Sequence, residues 1–309
     1  MGRAEDEIER RERHMTNLLS DLEKLIPLFE INTVTDIFIY SQGNIRVKDF
    51  DKGLYDPGIV LSPSERLRII YSLSNVVDKP IDKWARPTLE SIIPKYNIRT
   101  TAIIDPWLSF PEIRFRKPAE KIHTFNDYLK EERITQELHD KIISHINNYS
   151  NIVISGSTGS GKTTFTNACL DKMYELAPLD ELYIVEDTFE LQCSSPWKTQ
   201  LYIRPDQAVA AIQTALRWTP TRIIFGEIRY GEVANEMLKA WITGHPGITT
   251  IHADSAASTI PRIEGLLREV IKGQIPDLAE SIHLIVHLKN KCVVEALTVG
   301  EIREGKKMT

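Results

Sequence analysis

The sequence has 309 residues, which is enough for two domains that each bury a hydrophobic core. Hydrophobic residues make up 42% of the chain and charged residues 26%, a composition typical of globular proteins and far from that of disordered or collagen-like chains. The formal net charge of -5 provides no overall attraction to nucleic acid. We therefore predict no direct nucleic-acid binding.

The cysteines Cys169, Cys193 and Cys292 are far apart in the sequence and form no CxxC pair, so neither a zinc site nor a disulfide framework is indicated. This cysteine usage fits a reducing cytosol. No run approaches the ~20 apolar residues that span a bilayer, and the charged start MGRAEDEIERRER excludes a secretory signal peptide. We expect a cytoplasmic protein, with any membrane contact being peripheral.

The N-terminal part of the chain predicts a smaller α+β domain. Apolar residues recur at helical spacing over residues 15–29, which predicts an amphipathic helix that either docks on its own domain or meets a partner or a membrane. Residues 33–40 and 45–50 are rich in β-branched and aromatic side chains and predict a hairpin. A helix is predicted over residues 63–75.

The proline-containing stretch RFRKP marks the exit from this domain. We predict an N-terminal domain over residues 1–116, a linker over 117–130 and a second domain over 131–309. In the second domain short buried β runs alternate with helical segments, which predicts an α/β fold with a parallel sheet and crossover helices. The predicted strands are 151–155, 183–186, 222–227, 249–252 and 282–288, and the predicted helices are 163–174, 206–217, 232–243 and 256–272.

A complete GxxxxGK[ST] motif, GSTGSGKT, lies between the first of these strands and a helical segment. Its glycines let successive backbone N–H groups point at phosphate oxygens, and the dipole of the following helix adds to this anion site. Lys162 is expected to reach the β and γ phosphates and the Thr163 hydroxyl to ligate Mg²⁺, which predicts ATP and Mg²⁺ as cofactors. The predicted nucleotide-binding residues of this loop are Gly156, Ser157, Thr158, Gly159, Ser160, Gly161, Lys162, Thr163 and Thr164.

Three later segments supply groups for phosphoryl transfer to water, which needs a residue that activates the water, a bound metal and cations near the γ phosphate. Glu186 ends an apolar strand, at the end of the strand where ligands of open α/β sheets bind. Glu227 ends the strand RIIFGE in the manner of a Walker B element and is predicted to hold Mg²⁺ through water. His245 and His252 flank a short strand, and either one alone is more often a structural or surface histidine.

The ordered set GSTGSGKTT, IVEDTFEL, RIIFGEIR and TGHPGITTIHADS resembles the Walker A, Asp box, Walker B and His box of the secretion traffic ATPases. The run LKAWITGHPGITTIHADSA most resembles the conjugal-transfer, TrbB-like branch. The resemblance implies a C-terminal RecA-like P-loop domain and a PAS-like N-terminal domain. It also implies a catalytic glutamate at Glu186, a Walker B glutamate at Glu227 and a catalytic histidine pair at His245 and His252.

Family members form hexameric rings in which arginines of the N-terminal domain approach the phosphates, and the matching positions are Arg99 and Arg116. The alternative interpretation is that these two residues are ordinary surface arginines. Arg217 and Arg229 also match family arginines, and the sequence does not rank them. Thr221 and Tyr230 depart from the family pattern, which bears on the branch rather than on the phosphate chemistry. The tetracysteine zinc element of many type II assembly ATPases is missing from the sequence, which disfavours that branch.

The resemblance therefore implies a homohexameric ATPase that powers type IV secretion, conjugation or associated pilus biogenesis with inner-membrane partners. A pilus assembly or retraction motor of the same superfamily is the first alternative. A docking scaffold that binds ATP without appreciable hydrolysis is the second, although a pure binder would not need both acidic residues, Glu186 and Glu227. A nucleic-acid translocase is disfavoured because basic and aromatic residues do not alternate along the chain.

Overall fold

The computed structural model describes residues 2–49, 51–117 and 122–305, with the backbone alone for residues 2–8. The chain divides into two compact units, Met1–Glu120 and Lys121–Thr309. Within the described ranges, no helix combines the length and the apolar character needed to cross a membrane.

The first unit is built on an antiparallel sheet whose inward side chains form one hydrophobic core. Its elements are α1 (Gly2–Asp21), α2 (Ile26–Phe29), β1 (Val34–Ile39), β2 (Ile45–Asp49), β3 (Gly53–Tyr55), α3 (Pro63–Val76), β4 (Thr88–Ile93), β5 (Ile98–Ile103) and β6 (Glu112–Arg116). The strands pair in the order β3-β2-β1-β6-β5-β4. The predicted hairpin is confirmed as β1 and β2, and the predicted helix after it as α3.

The predicted single helix over residues 15–29 is wrong in its bounds. Helix α1 begins well before residue 15 and ends at Asp21, and the chain turns before α2 begins at Ile26. Pro27 explains the break, because proline lacks the N–H that a continuous helix needs but is tolerated in the first turn of a helix, which is where it lies in α2. Leu22, in the turn, is fully buried in the core of the first unit, so this segment docks on its own domain.

The second unit has helices on both faces of a mostly parallel sheet. Its elements are α4 (Phe125–Lys130), α5 (Gln136–Asn147), β7 (Ile152–Gly156), α6 (Lys162–Leu176), β8 (Leu182–Glu186), β9 (Lys198–Tyr202), α7 (Ala208–Trp218), β10 (Arg222–Phe225), α8 (Gly231–Ile242), β11 (Ile248–Ile251), α9 (Ala256–Val270), β12 (Leu284–Lys289), β13 (Cys292–Leu297) and α10 (Val299–Arg303). The strand order is β13-β12-β7-β11-β10-β8-β9, and β13 alone is antiparallel to its neighbour among these described strands.

Alternate residues of the central strands enter two separate cores. Ile152 and Ile154 of β7 pack with α4, α5 and α6 on one face, whereas Val153 packs with α7, α8 and α9 on the other. Strands covered on both faces are expected to be apolar throughout, as the run NIVIS is. The predicted parallel sheet with crossover helices is confirmed.

The second half of the predicted linker over residues 117–130 contains a short helix. Residues 125–130 form α4, and Phe125 and Tyr128 of this helix are buried in a core of the second unit. Thr124 caps the helix by accepting a hydrogen bond from the N–H of Asp127, whose carboxylate in turn accepts from the N–H of Thr124. This capping box and the two buried rings make the segment part of the second unit.

We expect Gly247→Ala to destabilise the second unit by roughly 2 kcal/mol or more, because an added Cβ at this site meets a backbone oxygen that cannot easily move. The ideal Cβ position at Gly247 is 1.7 Å from the carbonyl oxygen of Ile223. The measurement is denaturant-induced unfolding followed by circular dichroism.

Gly265→Ala is the matched control, because Gly265 lies within α9 and nothing is within 4 Å of its ideal Cβ position. The control should be more stable than the natural protein by about 1 kcal/mol, the helix-propensity difference between the two residues. Equal midpoints for Gly247→Ala and the natural protein would contradict the assigned close approach.

Candidate nucleotide site

The predicted phosphate loop joins the carboxyl end of β7 to the first turn of α6. Gly161, which precedes the helix, has a φ of 96°, a left-handed conformation that glycine adopts without strain. The first N–H groups of α6 have no partner within the helix, and the helix dipole places partial positive charge at the same end. The residues Gly156 to Thr164 thus form the turn and helix start that an anion site requires.

Lys162 is the first residue of α6 and is only 8% exposed. Its ammonium donates hydrogen bonds to the carbonyl oxygens of Gly156 at 2.9 Å and Ser157 at 3.1 Å, and to Nδ1 of His252 at 3.1 Å. Burial lowers the pKa of Lys162, because desolvation disfavours the charged form. None of the ion pairs of the described residues includes this ammonium, so a buried cation is surrounded by neutral acceptors, a setting that an anionic ligand would complete.

A chain of charged side chains continues from Lys162 along the same edge of the sheet. Nε2 of His252 lies 2.7 Å from Oε1 of Glu227. The guanidinium of Arg229 donates from Nε to Oε2 of Glu227 at 2.8 Å and also pairs with Asp187. His252, Glu227 and Asp187 follow β11, β10 and β8, whose carboxyl ends lie side by side because these strands are parallel.

Glu186, the last residue of β8, is only 2% exposed. Its carboxylate accepts hydrogen bonds from the backbone N–H groups of Glu190 and Leu191, both at 2.9 Å, and from Nε2 of Gln200 at 2.7 Å. Burial raises the pKa of Glu186 to about 6, and these three hydrogen bonds act in the opposite direction. One carboxylate oxygen thus holds the loop after β8, and the other accepts from Gln200 of β9.

Glu190 is the carboxylate that contacts the phosphate loop. Oγ1 of Thr163 donates a hydrogen bond to Oε2 of Glu190 at 3.2 Å. Asn167 of α6 holds the same loop, donating from Nδ2 to the carbonyl oxygen of Glu190 at 3.3 Å. The sequence prediction missed Glu190, although it lies in the same EDTFEL segment as Glu186, because spacing alone does not tell which of two carboxylates faces a neighbouring loop.

Mg²⁺ fits this set of side chains when phosphate oxygens and water supply the other ligands. The Thr163 hydroxyl and the carboxylates of Glu190 and Glu227 provide the hard oxygen donors that Mg²⁺ prefers. No cluster of three His, Cys, Asp or Glu side chains within the described ranges could hold a metal by itself. Mg²⁺ is commonly bound through one or two carboxylates together with the phosphates of a substrate.

His245 and His252, which are predicted as a catalytic pair with His252 nearer the γ phosphate, are not in contact within this chain. The two residues flank opposite ends of β11, a strand of about 13 Å at ~3.3 Å per residue. The backbone of His245 donates to the carbonyl of Ala240 near the end of α8, and the buried Nδ1 of its ring has no hydrogen-bond partner among the described residues. Arg217, exposed near the end of α7, also lies at the amino edge of the sheet, so Arg229 is the family arginine that joins the site.

Arg99 and Arg116 lie in the first unit, where they are direct neighbours on the paired strands β5 and β6. Cross-strand partners of an antiparallel pair project from the same face of a sheet. Nε of Arg116 is 2.9 Å from Oδ1 of Asp36, the residue opposite it on β1. The two predicted phosphate contacts are therefore adjacent to each other on one sheet face.

Comparisons with known proteins agree with this geometry. Residues 94–305 match the family described as "Type II/IV secretion system protein". The conjugal transfer protein TrbB of Rhizobium radiobacter is 33% identical over 260 residues, which cover 83% of this chain and 80% of that protein.

Two solved structures show the same fold, with a RecA-like second unit. The ATPase DotB of Legionella pneumophila has a TM-score of 0.64 at 23% identity, covering 92% of this chain and 82% of that chain. The pilus retraction motor PilT with bound ADP has a TM-score of 0.66 at 17% identity, covering 91% of this chain and 85% of that chain. The chain belongs to the type II/IV secretion system protein family.

Proposed function

We propose that the chain is the ATPase of a type IV secretion or conjugative transfer machine and converts ATP hydrolysis into movement of its partners. The buried ammonium of Lys162, whose hydrogen-bond acceptors at the start of a helix are all neutral, carries this proposal, because an anionic ligand would stabilise its charged form. A polyphosphate fits the adjacent backbone N–H groups. The likeness to TrbB, named as a conjugal transfer protein, supports the conjugative branch.

The side chains at the carboxyl edge of the sheet would have different roles in hydrolysis. The loop N–H groups and Lys162 would hold the phosphates, which draws the ammonium away from its present carbonyl partners. Thr163 and Glu227 would hold Mg²⁺, directly or through water, and this ion would neutralise charge on the β and γ phosphates. Arg229 would supply a further cation once it leaves the carboxylates that it now bridges.

Glu190 is the residue that we assign to the attacking water. In the reaction a new bond forms between the water oxygen and the γ phosphorus, the bond from that phosphorus to the β–γ bridging oxygen breaks, and ADP leaves. Glu190 would orient the water and accept its proton. Glu186 would instead fix the position of Glu190, because its carboxylate accepts the backbone N–H of that residue.

The proposed working form is a homohexameric ring at the cytoplasmic face of the inner membrane, in contact with membrane components of the machine. The N-terminal domain, PAS-like and spanning residues 1–116, would bring Arg99 and Arg116 to the phosphates. Their adjacent positions on one face of the sheet support a joint role. Hydrolysis would then change the angle between the two domains and pass that motion to the partners.

The first test is ATP hydrolysis by the purified full chain across a series of protein concentrations. We expect a rate per subunit that rises with concentration, because catalysis depends on ring assembly. Lys162→Ala should abolish the activity, since it removes the cation of the phosphate site. Lys172→Ala, on the same helix but paired with Glu175, should leave the rate unchanged. Wild-type protein without hydrolysis at any concentration, or an active Lys162→Ala, would contradict the proposal.

Glu190→Gln should lower kcat by ~10²-fold or more, which is the scale on which positioned acid–base groups act. The affinity for ADP should stay close to that of the natural protein. Glu186→Gln should lower kcat less, because its carboxylate acts through the loop that it holds. Steady-state kinetics and calorimetric titration with ADP measure the two effects. A larger loss of kcat for Glu186→Gln would return the catalytic role to Glu186.

His252→Ala should lower kcat, because the imidazole joins the ammonium of Lys162 to the carboxylate of Glu227. We expect a loss of about tenfold or more, as for other positioned groups. His245→Ala is the matched control at the other end of β11 and should retain the wild-type rate per subunit. Steady-state ATPase assays on assembled protein measure kcat for both variants. An equal loss of kcat in the two variants would contradict the assignment of different roles to the two histidines.

A further inference from the structure

The hairpin formed by β12 and β13 packs against the phosphate loop from the side away from the hydrolytic residues. The backbone N–H of Lys291 in its turn donates a hydrogen bond to the carbonyl oxygen of Ser160 at 3.0 Å. A Cβ on Gly161 would lie 3.4 Å from Cα of Lys291, and a Cβ on Gly156 would lie 2.6 Å from the carbonyl oxygen of Leu288. Gly156 is therefore needed for the close approach of this hairpin, and Gly161 lies in van der Waals contact with it.

The turn of the hairpin places Lys291 in a backbone conformation that is unfavourable for lysine. Lys289 and Cys292 are paired across the strands, so Asn290 and Lys291 form a two-residue turn, with φ of 50° and 66°. Such a turn favours Asn followed by Gly, because both residues need positive φ. Asparagine tolerates this conformation, whereas a lysine is strained there. Strain kept in a tight turn beside a ligand site points to a use for the side chain.

The strand order decides which end of a nucleotide this turn would meet. Strand β7, which leads into the phosphate loop, lies between β12 on one side and β11 on the other. His252 and Glu227, which act at the γ phosphate in the proposed function, follow β11 and its neighbour β10. In the proposed function the γ phosphate would therefore point toward β11 and β10, which would leave the α phosphate and ribose on the β12 side, where Lys291 is exposed.

We infer that Lys291 is a nucleotide-binding residue that contacts the non-reacting part of the ligand, the α phosphate and the ribose, which ATP and ADP share. The inference rests on the proposed function of the phosphate loop and adds a cation from an element distant in sequence. Its backbone hydrogen bond to Ser160 fixes the root of the side chain at the rim of the loop. Lysine carries its charge at the end of a long side chain, so an ammonium whose backbone lies at the rim of the loop can contact a phosphate oxygen as a point charge.

A contact to a part of the ligand that does not react stabilises the ground state and the transition state equally. Its loss should therefore raise KM and the Kd values for ATP and ADP by the same factor, with kcat unchanged. We expect a factor of about ten, the size of one partly exposed charge-assisted contact. Removal of Lys162, in contrast, should abolish turnover.

Lys291→Gly is the decisive variant, because it removes the cation and also relieves the strained backbone. We expect a thermal unfolding temperature equal to or above that of the natural protein, together with the tenfold weaker binding stated above. Lys291→Arg should bind within about twofold of the natural protein, since it keeps the charge. Lys289→Ala is the matched control, an exposed lysine of the same hairpin whose removal should leave Kd unchanged.

The experiment is isothermal titration calorimetry of the full-length variants with ADP and with the non-hydrolysable ATP analogue AMP-PNP, together with steady-state ATPase kinetics. Equal weakening for both ligands, confined to Lys291→Gly, supports the assignment. Unchanged affinity in Lys291→Gly, equal weakening in Lys289→Ala, or weakening for AMP-PNP alone would overturn it. If the natural protein binds neither ligand, the proposed function itself fails, and the inference fails with it.

Discussion

The shared direction of β7, β11, β10 and β8 is the constraint on which the nucleotide site depends. Parallel strands place all their carboxyl ends at one edge of the sheet, and the phosphate loop, His252, Glu227 and Glu186 each follow or end one of these strands. A reversed strand would move its polar residue to the far edge. A residue that precedes a parallel strand also lies at that far edge, as His245 does before β11, away from Lys162.

Charge at this edge is arranged around groups that are costly to bury. Lys162 is held by carbonyl oxygens and an imidazole, and Glu186 is held by backbone N–H groups and an amide, with a pKa raised to about 6. Each arrangement satisfies the hydrogen bonds of an ion without pairing it, so part of the desolvation cost remains. The more exposed guanidinium of Arg229 instead pairs with the partly buried carboxylates of Glu227 and Asp187. The unpaired, buried lysine is thus the group with most to gain from an anionic ligand.

Local patterns in the sequence predicted most elements around the phosphate loop, but they did not lead to a prediction of the apolar strand β13 or of helix α5. The apolar run of β7 and the helix after GSTGSGKT were predicted within a residue or two at most bounds. Strand β9, with the polar sequence KTQLY, has no apolar signal because it is an edge strand with little burial. The predicted helix over residues 15–29 gave too much weight to apolar spacing and too little to Pro27.

The sequence by itself determined the phosphate loop and the parallel α/β fold, because both depend on contiguous residues: glycines and a lysine at fixed spacing, and apolar runs alternating with helices. Only the tertiary structure decided that Glu190 rather than Glu186 contacts Thr163, that His252 is separated from His245, and that the β12–β13 turn meets the loop. These contacts join residues far apart in the chain or choose between close neighbours. Strand order, strand direction and burial determine them, and none of these is encoded in local spacing.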